Sequence, residues 1–369
     1  MHEVMNHTGW LAIVKRYSLT ATLVGAAMMP LLGCKGGESG SPDKGGETTT
    51  GPEDETEVSN ITGSIKINGS STVLPISNAM KEEFAKEYPG VEISVSGDGT
   101  GTGFKEFYAK STDISDASRP IKAGELEKCT EAGVEFIELP VAYDGLTVVI
   151  HPENDWATEL TVDHLKKIFV NAEDKPTKWS DVDPSWPAED IGLYAPGTGS
   201  GTYDYFKEVV IGKSEAEMRD DMSLNEDDNQ LVKGVAGSKF AIGFFGVAYY
   251  EENKDKLTAV KIVNPADSVA YEPSSDNIAS GKYAPFSRPL FIYVSTASLP
   301  RAEVAAFVQF YLDNAQEVSE AVAYVRLPDS IMERAQSHLD SELSGTHYVD
   351  ADGNARLGAV EDIYVKENL

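Results

Sequence analysis

The chain has 369 residues, of which 41% are hydrophobic, with 13 Phe, 16 Tyr and 4 Trp, so it exceeds one typical domain and holds apolar mass for two packed lobes. Against 60 Asp and Glu stand 31 Lys and Arg, a formal charge of −29 that excludes a nucleic-acid surface in the absence of any basic stripe. Only 2 cysteines are present, too few for a disulfide framework or a cysteine-based metal site.

Lys15 and Arg16 precede the apolar run LTATLVGAAMMPLLG, which is too short to span a bilayer and has the shape of a secretory signal. The stretch Leu31-Leu32-Gly33-Cys34 resembles a bacterial lipobox. That resemblance implies a signal peptide over residues 1–33 and a Cys34 that becomes the first mature residue, carrying acyl chains such as palmitate. At ~0.8 kcal/mol per buried CH₂, two or three chains anchor stably. The protein is then exported and lipid-anchored to a bacterial membrane, facing the periplasm or the cell exterior. The competing reading is an ordinary cleaved signal with an incidental cysteine. Residues 34–63 are rich in Gly, Ser, Thr and Glu and read as a flexible tether, since they bury too little to order themselves.

From Ser64 the pattern alternates strand and helix. SIKING is a strand; Ile76, Met80 and Phe84 then recur at helical spacing with Lys81, Glu82 and Glu83 outward. VEISVSG is a strand, FKEFYAK starts a helix, DISDAS is a short strand or loop, and KAGELEKCTEAG is a helix with Cys129 half-buried. A long extended stretch, VEFIELPVAYDGLTVVIHP, is followed by helix VDHLKKIFVN, strand IGLYAP and helix GTYDYFKEVVIG, with NEDDNQ as a solvated loop. RPLFIYVS is a further buried strand, and helices follow from Arg301 to Asn314 and from Ala315 to Tyr324. The alternation predicts an α/β fold with largely parallel sheets. YDGLTVVIH and RPLFIYVS are the segments suited to cross between lobes. Near the C-terminus, DADGNARLGAVE approximates a calcium-loop spacing, but Ala355 stands where the turn needs glycine, so a hairpin around Asp352-Gly353 is expected.

Three strands end in Gly, Ser and Thr clusters that lead into helices: GSSTVLP (69–75), SGDGTGTGF (96–104) and APGTGSGTYDYF (195–206). Ser71 or Thr72 is expected to cap the first helix, with Pro75 in its first turn. Any one cluster is mostly a helix cap. Three at strand ends point to one crevice lined with amide and hydroxyl donors, the environment an anion needs. Neither GxGxxG nor GxxxxGK[ST] fits these spacings, which excludes the common nucleotide cradles. Arg119, in DISDASRPI, adds a guanidinium fork suited to tetrahedral oxygens.

STVLP, GTGTGF, DISDASRP and GSGTYDYF, in that order and behind a lipobox, resemble the phosphate-binding component of the bacterial phosphate-specific ABC transporter. The resemblance covers residues 64–324. It implies a two-lobe periplasmic-binding-protein fold of type II, with a hinge of crossing strands and a ligand cleft between lobes. The expected division is 64–142 plus 287–369 for lobe I and 143–286 for lobe II. It further implies phosphate contacts from Ser71, Thr72 and the Val73 amide, from Thr100, from Ser118, and from Ser200, Gly201 and Thr202. Many members carry an arginine four residues before the SGT serine; Pro196 stands there, leaving Arg119 as the anchoring charge. Members also use an aspartate to accept the phosphate proton. Asp116 and Asp144 are the candidates, and Asp144 is equally placed to pair with Arg119.

The function implied is extracytoplasmic phosphate capture and delivery to ABC permease subunits by a monomer that needs no cofactor or metal and catalyses nothing. The alternatives are a receptor for another tetrahedral oxyanion, such as sulfate, and a secreted phosphatase. Against the last, none of the six histidines lies in a motif and no GxSxG elbow is present.

Overall fold

The computed structural model describes residues 60–212, 214–356 and 358–369. The leader, Cys34 and nearly all of the 34–63 tether lie outside the described residues. Among the described residues no helix is long and apolar enough to cross a membrane.

Among the described residues twelve strands are formed. They are β1 (Gly63–Gly69), β2 (Val91–Ser96), β3 (Ile114–Ala117), β4 (Phe136–Ile150), β5 (Glu159–Leu160), β6 (Gly192–Pro196), β7 (Ser223–Asn225), β8 (Ala241–Gly246), β9 (Thr258–Ala259), β10 (Lys261–Val263), β11 (Ala270–Tyr271) and β12 (Ser287–Ser295). The main sheet runs β2-β1-β3-β12-β4-β8-β6-β7, with β9 beside β4, while β11-β10-β5 form a small separate sheet.

The main sheet is mixed, not largely parallel. β1 pairs in parallel with β2 and β3, and β6 with β7 and β8. β12 runs antiparallel to β3 and β4, and β4 antiparallel to β8. The reversal has a topological cause: the chain passes from one lobe to the other along β4 and returns along β12, so the two crossing strands must oppose each other. All 15 residues of β4 are buried, which explains its mostly apolar composition, and its acidic residues Glu138 and Asp144 are buried with it. Nine of its first ten residues pair with β12, Val141 being skipped at a bulge, and its last five with β8, so one strand belongs to both halves of the fold.

Helix Leu74–Glu87 packs Phe84 edge-on against Phe307 and Phe310 of helix Ala302–Ala321. Glu83 is buried there and paired with Lys86, not outward as the helical pattern suggests. The late helical region is one helix of 20 residues instead of two. Asn314 stays inside it because its side-chain amide donates to the Phe310 carbonyl at 2.8 Å. NEDDNQ is also only partly loop: Asp227 caps a helix that starts at Asp228.

Cys129 is fully buried, and burial pushes its thiol up to about 11, which makes it an inert core residue. DADGN makes a turn closed on Asp350, but the expected hairpin reduces to the single Val349–Ala355 bridge. Among the described residues no group of acidic, His or Cys side chains could hold a metal.

The C-terminal segment docks on both crossing strands through one acidic residue. Glu138 of β4 is buried and accepts from the Tyr293 hydroxyl (2.8 Å), the Thr346 hydroxyl (2.7 Å) and the His347 amide (3.0 Å). The His347 ring sits 3.0 Å from the same carboxylate and stacks on His338 with ring centres 4.8 Å apart. Tyr364 donates to the Glu138 backbone carbonyl at 2.8 Å.

Candidate functional site

Three strand exits on one side of the crossing strands are tied together by their own backbone. The Ser70 amide donates to the Asp116 carbonyl of β3 (2.9 Å), and the Gly99 amide to the Gly69 carbonyl (2.7 Å). The Ser118 amide donates to the Thr100 hydroxyl (3.2 Å), which also pairs with the Ser118 hydroxyl. Glycine is needed for this closeness: a Cβ on Gly103 would fall 2.5 Å from the Gly69 Cα. Gly99 starts helix Thr100–Tyr108 at φ 92°, a backbone region that L side chains avoid.

From the other lobe, helix Gly201–Ile211 follows β6 and is capped by the Ser200 hydroxyl, which accepts from the Thr202 amide at 3.2 Å. A Cβ on Gly201 would lie 2.9 Å from the Thr72 hydroxyl, so the loops of the two lobes touch. Between them is a cavity of about 250 Å³ lined by Ser71, Thr72, Thr100, Ser118 and Arg119 on one side, Asp204, Tyr205 and Glu208 on the other, and Arg288 at the crossing. That is below the ~300 Å³ at which drug-sized pockets begin, and suits a small ion with some water. Thr100 and Gly101 line it from the first turn of a helix, whose leading amides have no acceptors within the helix.

Of the residues expected from sequence, Ser71, Thr72, Thr100, Ser118 and Arg119 line the cavity together. Val73 does not; its amide donates to the Ser70 carbonyl and its side chain is core. The cap on helix Leu74–Glu87 also differs: no side chain caps it, and the Ser70 hydroxyl accepts from the Thr72 amide instead, leaving the Ser71 and Thr72 hydroxyls to the cavity. Ser200, Gly201 and Thr202 do not line it: the Ser200 hydroxyl accepts from the Thr202 amide, and Gly201 approaches Thr72.

Arg119 is paired, but not with Asp144. Its fork is held by Glu125 through two bonds of 2.8 and 2.7 Å, and its guanidinium lies 5.7 Å from the Phe104 ring centre. Asp144 belongs to Arg288, a residue that the sequence reading missed. These two stand directly opposite each other in the β4–β12 register. Arg288 donates to Asp144 from Nε (3.1 Å) and Nη2 (3.0 Å), and to the Thr72 hydroxyl from Nη2 (3.1 Å). A fixed charge therefore reaches the cavity from the crossing strand β12. The available signal was an arginine heading an apolar strand with an aspartate in the partner strand, one opposite charge in each crossing segment.

Neither expected proton acceptor lines the cavity. Burial raises the Asp144 carboxyl while Arg288 opposes the shift. Asp116 is buried beneath the Ser70–Val73 turn, where it accepts from Ser77 (2.7 Å), whose hydroxyl lies 3.0 Å from that of Tyr311. Its second oxygen has no partner, and burial pushes its carboxyl up to about 7. At the mouth, Asp204 is also raised, by partial burial first and with Lys207 and Arg288 opposing.

A curled mixed sheet with crossing strands and a polar cleft between two lobes defines the class of two-lobe binding proteins. A PBP superfamily domain matches residues 48–315. Protein SphX of Synechococcus elongatus is 44% identical over 306 residues, which covers 83% of this chain and 89% of that protein. The phosphate-binding protein PstS of Staphylococcus epidermidis is 38% identical over 316 residues, 85% of this chain and 90% of its own. The crystal structure of a possible phosphate binding protein from Planctomyces limnophilus, 47% identical, superposes with a TM-score of 0.74 over 77% of this chain and 100% of that one. An ABC-type phosphate transport receptor from Vibrio cholerae, 21% identical, shares the fold at a TM-score of 0.58 over 72% of this chain and 100% of its own. The chain belongs to the PBP superfamily and, within it, to the PstS and SphX family of binding proteins.

Proposed function

We propose that the protein captures inorganic phosphate outside the cytoplasm and hands it to the permease subunits of an ABC importer, catalysing no reaction itself. The observation that carries this reading is that Thr72, Thr100, Ser118, the helix start at Thr100–Gly101 and Arg288 line one ion-sized cavity between lobes. Neutral donors suit a chain with so negative a surface: long-range repulsion is screened over ~8 Å at physiological salt, and local donors then decide. Arg288 and Arg119 serve as the charged contacts, with Ser71 beside them and Ser200, Gly201 and Thr202 closing from the second lobe. Asp116 and Asp144 act on the phosphate through the groups they hold. The lobes comprise 64–142 plus 287–369 and 143–286. A lipid on Cys34 tethers the monomer to the membrane through residues 35–63.

Calorimetric titration of residues 60–369 with phosphate, arsenate and sulfate tests the ligand. Saturable phosphate binding that excess sulfate does not displace supports the proposal; sulfate binding of equal or greater strength, or no phosphate binding, overturns it. Turnover of a generic phosphomonoester would move the protein to the hydrolases.

A further inference from the structure

Arg288 meets the cavity with only part of its fork. Nε and Nη2 are committed to Asp144 and Thr72, whereas Nη1 makes no hydrogen bond among the described residues. The Glu208 carboxylate lies 3.5 Å from Nη1, too long and loose to count as a formed bond. Glu208 is 67% exposed, so its side chain is free to swing, whereas Arg288 is 13% exposed and fixed on three sides. One helical turn earlier, Asp204 projects into the same cavity. An acid pair at i and i+4 disfavours its helix slightly, and here it faces a cavity built from anion donors. Folding does not require that arrangement.

Resting on the phosphate-binding reading, we propose that Glu208 is a tethered competitor for the anion: it occupies the one open face of Arg288 in the empty cleft and must be displaced when ligand enters. The site would otherwise present an unneutralised guanidinium nitrogen to any passing anion. With Glu208 there, an incoming ion gains from Arg288 only what exceeds the pairing it replaces. The residue thus lowers affinity, hastens release, and favours ligands that also satisfy the hydroxyl and amide donors over anions that offer charge alone.

The test is calorimetry with inorganic phosphate on the wild-type described domain, Glu208→Gln, and Glu333→Gln as a control that removes one exposed acid away from the cavity. Glu208→Gln is expected to bind phosphate about fivefold more tightly, the effect of removing one partly screened like charge near the ligand. Its dissociation rate by stopped flow should fall in parallel, while Glu333→Gln behaves as wild type. Equal or weaker binding by Glu208→Gln overturns the inference, as does an equal gain in Glu333→Gln, which would trace the effect to net charge. If the wild-type protein binds no phosphate, both this inference and the functional reading fall; if it binds and Glu208→Gln matches it, only this one does.

Discussion

Arg288 lies flat on Tyr205, with its guanidinium carbon 3.6 Å from the centre of the phenol ring. The ring fixes the plane of the fork while Asp144 and Thr72 fix its edge. The charge therefore reaches the cleft already ordered, and binding sacrifices little side-chain freedom. Lysine would keep the charge but lose the plane and the second bond to Asp144. We expect Arg288→Lys to weaken phosphate binding by about 2–3 kcal/mol, the worth of a hydrogen bond to a charged group. A calorimetric affinity within about threefold of wild type would remove Arg288 from the binding machinery.

Arg119 should matter less. Glu125 already takes both prongs of its fork, so its contribution to an incoming anion is largely neutralised. Arg119→Ala should cost about 1 kcal/mol of binding free energy, clearly less than Arg288→Lys. The reverse order in one titration series would restore Arg119 as the principal anchor.

Gly201 sets how closely the second lobe approaches the first. An alanine Cβ there would sit 2.9 Å from the Thr72 hydroxyl and 3.1 Å from the Thr72 Cα, and the latter is backbone that yields little. We expect Gly201→Ala to lower phosphate affinity by about tenfold, near 1.4 kcal/mol, with little change in the melting temperature of the empty protein. A large loss of Tm with unchanged affinity would show that the contact stabilises the fold and does not tune closure.

Asp116 predicts a pH effect of definite sign. Its folded carboxyl titrates near 7 against an ordinary value of 3.8, because burial disfavours the charged form. Between pH 4 and 7 the folded state holds the proton that the unfolded state has released, so this residue makes the protein less stable as pH rises across that window. Asp116→Asn keeps an acceptor for Ser77 and removes the charge. It should raise stability relative to wild type at pH 8, by at most about 4 kcal/mol, and the difference should shrink toward pH 4. Urea midpoints at both pH values measure it; a variant less stable at pH 8 contradicts the assignment.

His338 works in the opposite direction over almost the same range. Burial, reinforced by the neighbouring His347, lowers its imidazole to about 4, with Glu138 opposing. Arg334 and Lys366 also disfavour the charged ring, and the neutral Tyr364 ring packs at 4.7 Å. Below pH 6.5 the unfolded state takes up a proton that the folded state refuses until about 4, so stability falls with acidification through that window. His338→Gln should flatten the acid limb of the stability curve. Its opposition to Asp116 leaves the wild-type curve shallow, so each slope is best read as variant minus wild type. An acid limb as steep in His338→Gln as in wild type would assign the loss to another group.

The parts of this architecture legible in sequence are those whose cause is local. Glycine, serine and threonine behind β1, β2 and β6 announce helix starts with free donors, and Thr72, Thr100 and Ser118 do meet. The mostly apolar composition of β4 announces a strand covered on both faces, while the buried acids Glu138 and Asp144 within it mark where it takes partners. Arg288 was not legible because its meaning lies in its partners, Asp144 at a separation of 144 residues and Thr72 at 216. Asn314 is a weak helix former that suggests a break, yet helix Ala302–Ala321 runs through it, with its side chain bonded to the Phe310 carbonyl. Glu83 was placed outward by polarity alone, whereas its pairing with Lys86 lets it be buried.

The arrangement around Glu138 gives the end of the chain an unexpected weight. An acidic group lodged among the sheet's own rafters is quieted by residues 208 and 209 positions further along, Thr346 and His347, with Tyr364 bonded to the backbone of the same spot. A protease that clipped the polypeptide ahead of Thr346 would not be pruning a loose end. It would uncork a charge inside an apolar wall and loosen the two strands on which both lobes hang.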